Sequence, residues 1–174
     1  MITRKFPQFE DKEIQISLFT NVQNTPEIRS HMASGDPNYN YAFVNAATIV
    51  SLEHLLAATY RAINDHSTGK PRTRNLHSEI VFCLSPNNNI MDSLKRFGTS
   101  DESETFYAVK VVDEDEEDKD KYLRFLHQTI KGDELDVSEE IIKAYTIDAV
   151  VKKNYKINPS DVSTIISTIS LRGY

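Results

Sequence analysis

Three cations within five residues, Lys70, Arg72 and Arg74, are the side chains of this sequence with the most evident chemistry. Guanidinium groups form two-pronged hydrogen bonds to phosphate oxygens, and the proline between the first two cations stiffens the turn. An asparagine-rich segment follows a short apolar run, and the amides of Asn87 and Asn88 can bond bases or phosphates. These five residues predict an RNA-binding surface. The same types are also typical of a solvated turn and of a strand-to-helix turn, and the residues alone leave both interpretations open.

The sequence contains no recognisable residue set for catalysis or metal binding. The five histidines are spaced unlike a metal site, and the single cysteine, Cys83, lies in an apolar run without an adjacent cation. The five glycines stand singly, without a phosphate-binding loop or a Gly-x-Ser-x-Gly motif. We therefore predict that the protein is not an enzyme and has no catalytic residues, no metal and no cofactor.

The segment from Val162 to Leu171 carries no charge over ten residues. Its apolar positions have helical spacing and an Asn-Pro-Ser-Asp cap precedes it, so we predict a helix. Packing of its isoleucines on the core is one interpretation. The opposite face holds only Ser and Thr, and depletion of charge is typical of a protein interface. A second interpretation is therefore that this segment binds another protein.

Charge is distributed unevenly along the chain. The net charge is −6, of which −5 lies in the acidic run at residues 113–121, whereas residues 61–74 carry a surplus of +3. A small cationic site on a near-neutral body can bind RNA locally. The acidic run predicts a solvated, flexible segment, and binding of a basic partner is an alternative that no second feature supports.

Periodicity and caps predict the elements that position these residues. We expect strands at residues 13–19, 41–44, 76–84 and 106–112. We expect helices beginning near Pro26, after a Ser51 cap, after an Asn89 cap with Gly98 closing the helix in the left-handed conformation, after the acidic run, and over most of the region from residue 137. The irregular order favours an α+β class: a single domain over residues 1–174, with a mainly antiparallel sheet flanked by helices and the acidic run exposed. Neither a membrane helix nor a secretory signal is expected, and the lone cysteine fits a reducing compartment.

Several segments together resemble the PRPK-binding protein (TPRKB) family, the small kinase-binding subunit of the KEOPS/EKC complex, and its fungal members in particular. The best matching blocks are Arg72-Thr73-Arg74-Asn75-Leu76, Ser78-Glu79 through Leu84-Ser85-Pro86, and Asn88-Asn89-Ile90. Lys95, Phe97, Gly98, Gly132 and the ending Leu171-Arg172-Gly173 complete the pattern. Further similarity covers residues 19–24, 27–29, 43–45, 49–51, 54–58 and 155–157. The acidic run departs from the family pattern.

The resemblance implies a non-catalytic subunit that binds a PRPK-type kinase/ATPase, largely through its C-terminal helix, and stimulates it. It also implies that the protein helps present tRNA, by its 3′ end, for threonylcarbamoyladenosine formation next to the anticodon. Other KEOPS subunits are indirect partners, telomere maintenance is a linked role, and nucleus and cytoplasm are the expected locations. The alternative is a free-standing RNA-binding module that acts without the kinase.

The expected sites follow from the residues and the resemblance together. The kinase-binding residues are expected to be Ile165, Ile169 and Leu171, with Val162 and Ile166 on the core side. The tRNA-binding residues are expected to be Lys70, Arg72, Arg74, Asn87 and Asn88.

Overall fold

The alternating segment at residues 13–19 forms the centre of an antiparallel sheet. The computed structural model describes residues 1–171, and its five strands are β1 (Ile2–Phe6), β2 (Phe9–Thr20), β3 (Ala42–Asn45), β4 (Phe106–Asp113) and β5 (Asp133–Leu135). The spatial order is β1-β2-β4-β3, and β5 pairs with β2. All the pairs are antiparallel, with Ile16 of β2 opposite Val109 of β4. The predicted sheet type is confirmed, although β1 and β5 were not predicted.

Eight α-helices surround this open sheet within residues 1–171. They are α1 (Thr25–Ala33), α2 (Leu52–Ser67), α3 (Leu76–Cys83), α4 (Ile90–Phe97), α5 (Lys121–Thr129), α6 (Glu139–Tyr145), α7 (Asp148–Tyr155) and α8 (Val162–Leu171). Buried side chains of α2, α3 and α8 share one core with Ile16, whereas α1 and α5 pack with Phe19 on a second, aromatic-rich cluster. The sheet is thus covered on both faces, and the predicted α+β class is confirmed.

The predicted strand at residues 76–84 is wrong, because this segment forms helix α3. Asn75 caps it, with its side-chain oxygen accepting from the N–H of Ser78 at 2.9 Å. Ile80, Val81 and Phe82 are consecutive and all buried, so buried apolar side chains lie on several sides of the helix. A short apolar run that is buried on all sides has the same pattern as a central strand, which explains the error.

Helix boundaries set by polar caps were predicted better. Ser51 accepts from the N–H of His54 at 3.0 Å, and Asn89 accepts from the N–H of Asp92 at 3.0 Å, so both caps are confirmed. The left-handed conformation predicted for Gly98 is wrong, because its φ is −80° and its ψ is −173°. Its N–H still bonds the Leu94 carbonyl and ends the helix.

The acidic run connects β4 to α5 at the surface. Its carboxylates pair with local cations: Glu114 with Lys5 at 2.7 Å and with Lys119 at 3.0 Å. Arg172 and Gly173, which contribute to the family resemblance, lie outside the described residues. No helix within the described part of the chain has the length and apolar character needed to cross a bilayer.

Candidate functional site

A buried carboxylate shapes the turn that carries the three cations. One oxygen of Glu79, Oε2, accepts from the N–H groups of Arg72 and Thr73, at 3.1 and 2.9 Å, and from the Thr73 hydroxyl at 2.6 Å. Glu79 is fully buried, in the first turn of α3. Two backbone donors and a hydroxyl on one anionic oxygen fix the path of the chain, because hydrogen bonds to charged groups are the strong ones.

The cationic side chains of the turn point outward. Lys70, Arg72 and Arg74 are exposed, and Arg72 Nη1 donates to Asn88 Oδ1 at 3.0 Å. Among residues 1–171, the side chains of Lys70 and Arg74 form no ion pair or hydrogen bond. The structure therefore brings together the basic turn and one of the two predicted asparagines, and it leaves two cations available.

Asn87 has a different position from its neighbour Asn88. Its Oδ1 accepts from the N–H of Asn89 at 2.9 Å and from the Ser93 hydroxyl at 3.2 Å, and its Nδ2 donates to Asp92 at 2.9 Å. Both ends of the amide thus hold the start of α4. Asn88, which is exposed, is the asparagine that faces outward beside Arg72.

A polar network continues from Glu79 into the space between α2 and α3. Asp65, Glu79 and Cys83 each bring one potential ligand atom to within 4.8 Å of the others. Asp65 is held by Arg61, whose Nε lies 3.1 and 3.0 Å from its two oxygens. Glu79 Oε2 accepts three hydrogen bonds, whereas its Oε1 is buried without a hydrogen-bond partner among the described residues. Arg61 supplies positive charge beside the Asp65 carboxylate, which is largely removed from water.

Arg61 also reaches the C-terminal helix. Its Nη1 donates to the carbonyls of Ile169 and Ser170, at 3.1 and 2.9 Å. The last carbonyls of a helix lack intrahelical donors and carry partial negative charge, so a guanidinium there both caps the helix and opposes its dipole. The same arginine is thus joined to the end of α8 and to the carboxylates behind the basic turn.

Helix α8 divides its apolar residues differently from our prediction. Ile165 and Ile169 are buried in the core of the chain, whereas Val162 and Ile166 are only half-buried. The predicted exposure of Ile165 is therefore wrong, whereas Val162, although only partly buried, packs against the core as predicted. The physical reason is the rotation of α8 about its axis: Ile165 and Ile169, four residues apart, face α2 and join the main core. Contact of Ile165 or Ile169 with a kinase stays a prediction, and Leu171 is 67% exposed.

The outer face of α8 is uncharged and internally hydrogen-bonded. The hydroxyls of Ser167, Thr168 and Ser170 donate to carbonyls four residues earlier, at 2.9, 3.0 and 3.1 Å. Hydroxyls that already have a partner lose less on leaving water than unpaired ones. This face can therefore be covered by another protein at a low desolvation cost.

A buried hydrogen-bonded chain anchors α7 beside these elements. His54 Nδ1 accepts from the Val50 N–H at 3.2 Å, and its Nε2 lies 2.9 Å from the Tyr155 hydroxyl, which donates to the Leu84 carbonyl. Because Nδ1 accepts, the proton sits on Nε2. Burial lowers the pKa of His54 to about 3, so the ring is neutral at physiological pH.

Sequence reasoning missed Arg61 and Glu79 as site residues. An acidic residue inside an otherwise apolar run was the available signal for Glu79, since buried acids need partners. The spacing of Arg61 and Asp65, four residues apart, was the local signal for their ion pair. The contacts of Arg61 with α8 had no local signal, because those carbonyls lie more than 100 residues further along the chain.

Comparison with known proteins shows the family to which the chain is similar. The family described as "Kinase binding protein CGI-121" matches residues 19–173. A protein of Yarrowia lipolytica named EKC/KEOPS complex subunit CGI121 is 42% identical, over 98% of this chain and 99% of its own length. Proteins of the same name from Candida glabrata and Schizosaccharomyces pombe are 38% and 31% identical, each over 97% of this chain and 98% of their own length.

These matches, on an open antiparallel sheet covered by helices, define the class of protein. The chain belongs to the CGI-121 family of kinase-binding proteins. The family resemblance noted from the sequence is thereby confirmed.

Proposed function

We propose that this protein is a non-catalytic subunit of the EKC/KEOPS complex that binds and stimulates the PRPK-type kinase/ATPase of that complex and helps present tRNA for threonylcarbamoyladenosine formation. The observation that carries the proposal is similarity along nearly the whole chain to proteins named as subunits of that complex. Through the family resemblance, the proposal extends to indirect contact with other subunits, a linked role in telomere maintenance, and location in nucleus and cytoplasm.

The kinase is proposed to bind the outer face of α8. Ser163, Thr164 and Ser167 are exposed there, no charge interrupts the face, and Leu171 adds an exposed apolar side chain at its end. Depletion of charged residues is a compositional mark of the centre of a protein interface, and Leu171 can add an apolar contact to it. In this proposal, Ile165 and Ile169 support kinase binding indirectly, because they pack α8 against the core.

The tRNA is proposed to bind the basic turn. Lys70 and Arg74 have uncommitted charges, and Arg72 is oriented by Asn88. Cations that already sit on a fixed backbone lose less conformational freedom when they meet phosphate than cations on a free loop. Glu79 supplies that rigidity from inside the chain and does not need to touch the RNA.

One experiment separates this proposal from the alternative of a free-standing RNA-binding module. The purified chain is titrated with tRNA in the presence and absence of the kinase, and ATP hydrolysis is followed in parallel. We expect no hydrolysis by the chain alone, faster hydrolysis when it is added to the kinase, and tighter tRNA binding by the pair than by either protein. Full tRNA affinity without the kinase, together with no effect on the kinase, supports the free-standing module instead.

A further inference from the structure

A second cationic site lies between α4 and α7, outside the basic turn. A cleft of about 310 Å³ is lined there by Asp92, Lys95, Arg96, Val150, Lys153 and Asn154. We call this the α4–α7 cleft. Three of its six lining residues are cations and one is an acid, in a protein whose net charge is −6.

The single acid of the cleft forms its close ion pair with Arg96 and not with a lysine. Asp92 Oδ2 lies 2.9 Å from Arg96 Nε and also accepts from Asn87 at 2.9 Å. These contacts lower the pKa of the Asp92 carboxyl and keep it ionised. Within the described residues, neither Lys95 nor Lys153 has a carboxylate within 4 Å. The cleft therefore holds two lysines without an ion-pair partner.

Helix dipoles explain only part of this arrangement. Lys95 and Arg96 lie in the last turn of α4 and Lys153 in the last turn of α7, where cations are favourable. The helix dipole favours a cation anywhere around the last turn, whichever way its side chain points. It does not account for cations from two helices lining one cleft, where like charges repel and an anion between them would remove the repulsion.

Asn154 adds a hydrogen-bond donor to the cleft. Its side-chain Nδ2 is inaccessible to solvent and has no hydrogen-bond partner in the part of the chain that the structure describes. An amide N–H left without a partner costs free energy, which a ligand oxygen would recover after rotation of the amide. The cleft thus has two lysines without an ion-pair partner, and beside them a buried amide donor that becomes available when the amide rotates, which is chemistry that favours an oxyanion.

We propose that the α4–α7 cleft binds a backbone phosphate of the same RNA that meets the basic turn. The two sites flank one loop: Asn88 contacts Arg72 of the turn, and Asn87 contacts Asp92 of the cleft. A polynucleotide carries regularly spaced phosphates, so it can occupy both sites at once. This inference rests on the proposed tRNA-binding function for the source of its phosphate, whereas the anion site itself does not depend on it.

The first test measures the salt dependence of tRNA binding by the full chain. Lys95→Gln with Lys153→Gln removes both uncommitted charges of the cleft and leaves the Arg96–Asp92 pair intact. We expect weaker binding and a log–log salt slope that is shallower by about 0.7 to 0.9, for the one phosphate contact that is lost. The matched control is Lys131→Gln with Lys152→Gln, two exposed lysines outside the cleft, which is expected to keep the wild-type slope.

The second test uses inorganic pyrophosphate as a probe and follows the side-chain amide signal of Asn154 by NMR. We expect the signal to move in the wild-type chain and to stay fixed in the cleft variant. A fixed signal in both chains overturns the anion site. A moving signal with an unchanged tRNA slope in the cleft variant overturns the RNA assignment and leaves a site for free phosphate.

The two tests distinguish failure of this inference from failure of the proposed function. If the wild-type chain binds no tRNA, the proposed tRNA role fails, while the pyrophosphate titration still decides the anion site. If the cleft variant keeps its tRNA slope but loses the kinase, the cleft recognises an acidic protein surface and the inference is overturned.

Discussion

The basic turn and the C-terminal helix are attached to the same domain by different interactions, the first by polar and the second by apolar contacts. The turn is fixed by hydrogen bonds to one buried carboxylate, and its own cations lie outside. Helix α8 is fixed by the burial of Ile165 and Ile169, and its outer face is uncharged. Arg61 joins the two, because it bonds both Asp65 behind the turn and the last carbonyls of α8.

This difference predicts whether a mutation in each region lowers the stability of the domain or disturbs local geometry. An apolar anchor contributes to the stability of the whole domain, so its loss unfolds the chain. A carboxylate that orients a surface turn contributes less to stability and more to the geometry of that turn. In the proposed function, the surface residues of both regions contribute to binding. Because they are exposed, they contribute little to folding and can be changed one region at a time.

The largest effect is expected from Ile165→Glu. A carboxylate at this fully buried position has no partner, and the free energy of unfolding should fall by at least about 3 kcal/mol. Urea denaturation followed by circular dichroism measures this. Thr164→Glu is the matched control, since it places the same group on the exposed face in the first turn of α8 and should change stability by less than about 0.5 kcal/mol. A normally stable Ile165→Glu chain would contradict the core role of this residue.

A smaller effect is expected from Glu79→Ala. The N–H groups of Arg72 and Thr73 lose their acceptor, and the free energy of unfolding should fall by about 1 to 3 kcal/mol. Affinity for tRNA should fall too, because the cations are no longer held in place. Glu79→Gln is the control, since its amide oxygen can still accept these bonds and its nitrogen can face Asp65. Equal tRNA affinities of the two variants would show that Glu79 does not position the turn.

Features of the fold that depend on residues close together in the sequence could be predicted. Features that depend on residues far apart in the sequence could not. The caps at Ser51 and Asn89 involve residues three apart, and both are confirmed. Helix α3 was predicted as a strand because it is buried on several sides, so its sequence lacks the alternation of apolar and polar residues that marks a surface helix. Strands β1 and β5 are short edge strands whose conformation comes from pairing with β2.

The candidate site shows the same limit. The exposed cations of the turn were proposed as a site from side-chain type and spacing alone, which are local properties, and their binding role stays a prediction. The orientation of α8 depends on which stripe meets α2, and Val162, Ile165, Ile166 and Ile169 are too similar in type to decide it. The network from Arg61 to Glu79 joins residues that only the fold brings together.

The smallest effect on stability is expected from replacing Lys70, Arg72 and Arg74 together by alanine. Their side chains are exposed, so the melting temperature should stay within about 2 °C of the wild type. Affinity for tRNA should fall and its salt dependence should flatten, since each lost phosphate contact removes a released counterion. Filter binding over a range of salt concentrations measures both. An unchanged affinity at low salt would make the turn an ordinary solvated loop.

The central claim is that one chain carries two separable surfaces, one for the kinase and one for tRNA. Ser167→Glu places a charge on the exposed face of α8, and the triple alanine variant removes the charge of the turn. Isothermal titration calorimetry of each variant with the kinase and with tRNA tests the claim most directly. We predict that Ser167→Glu loses kinase binding and keeps tRNA binding, and that the triple variant does the reverse. Loss of both ligands in either variant, or of neither, would contradict two separate surfaces.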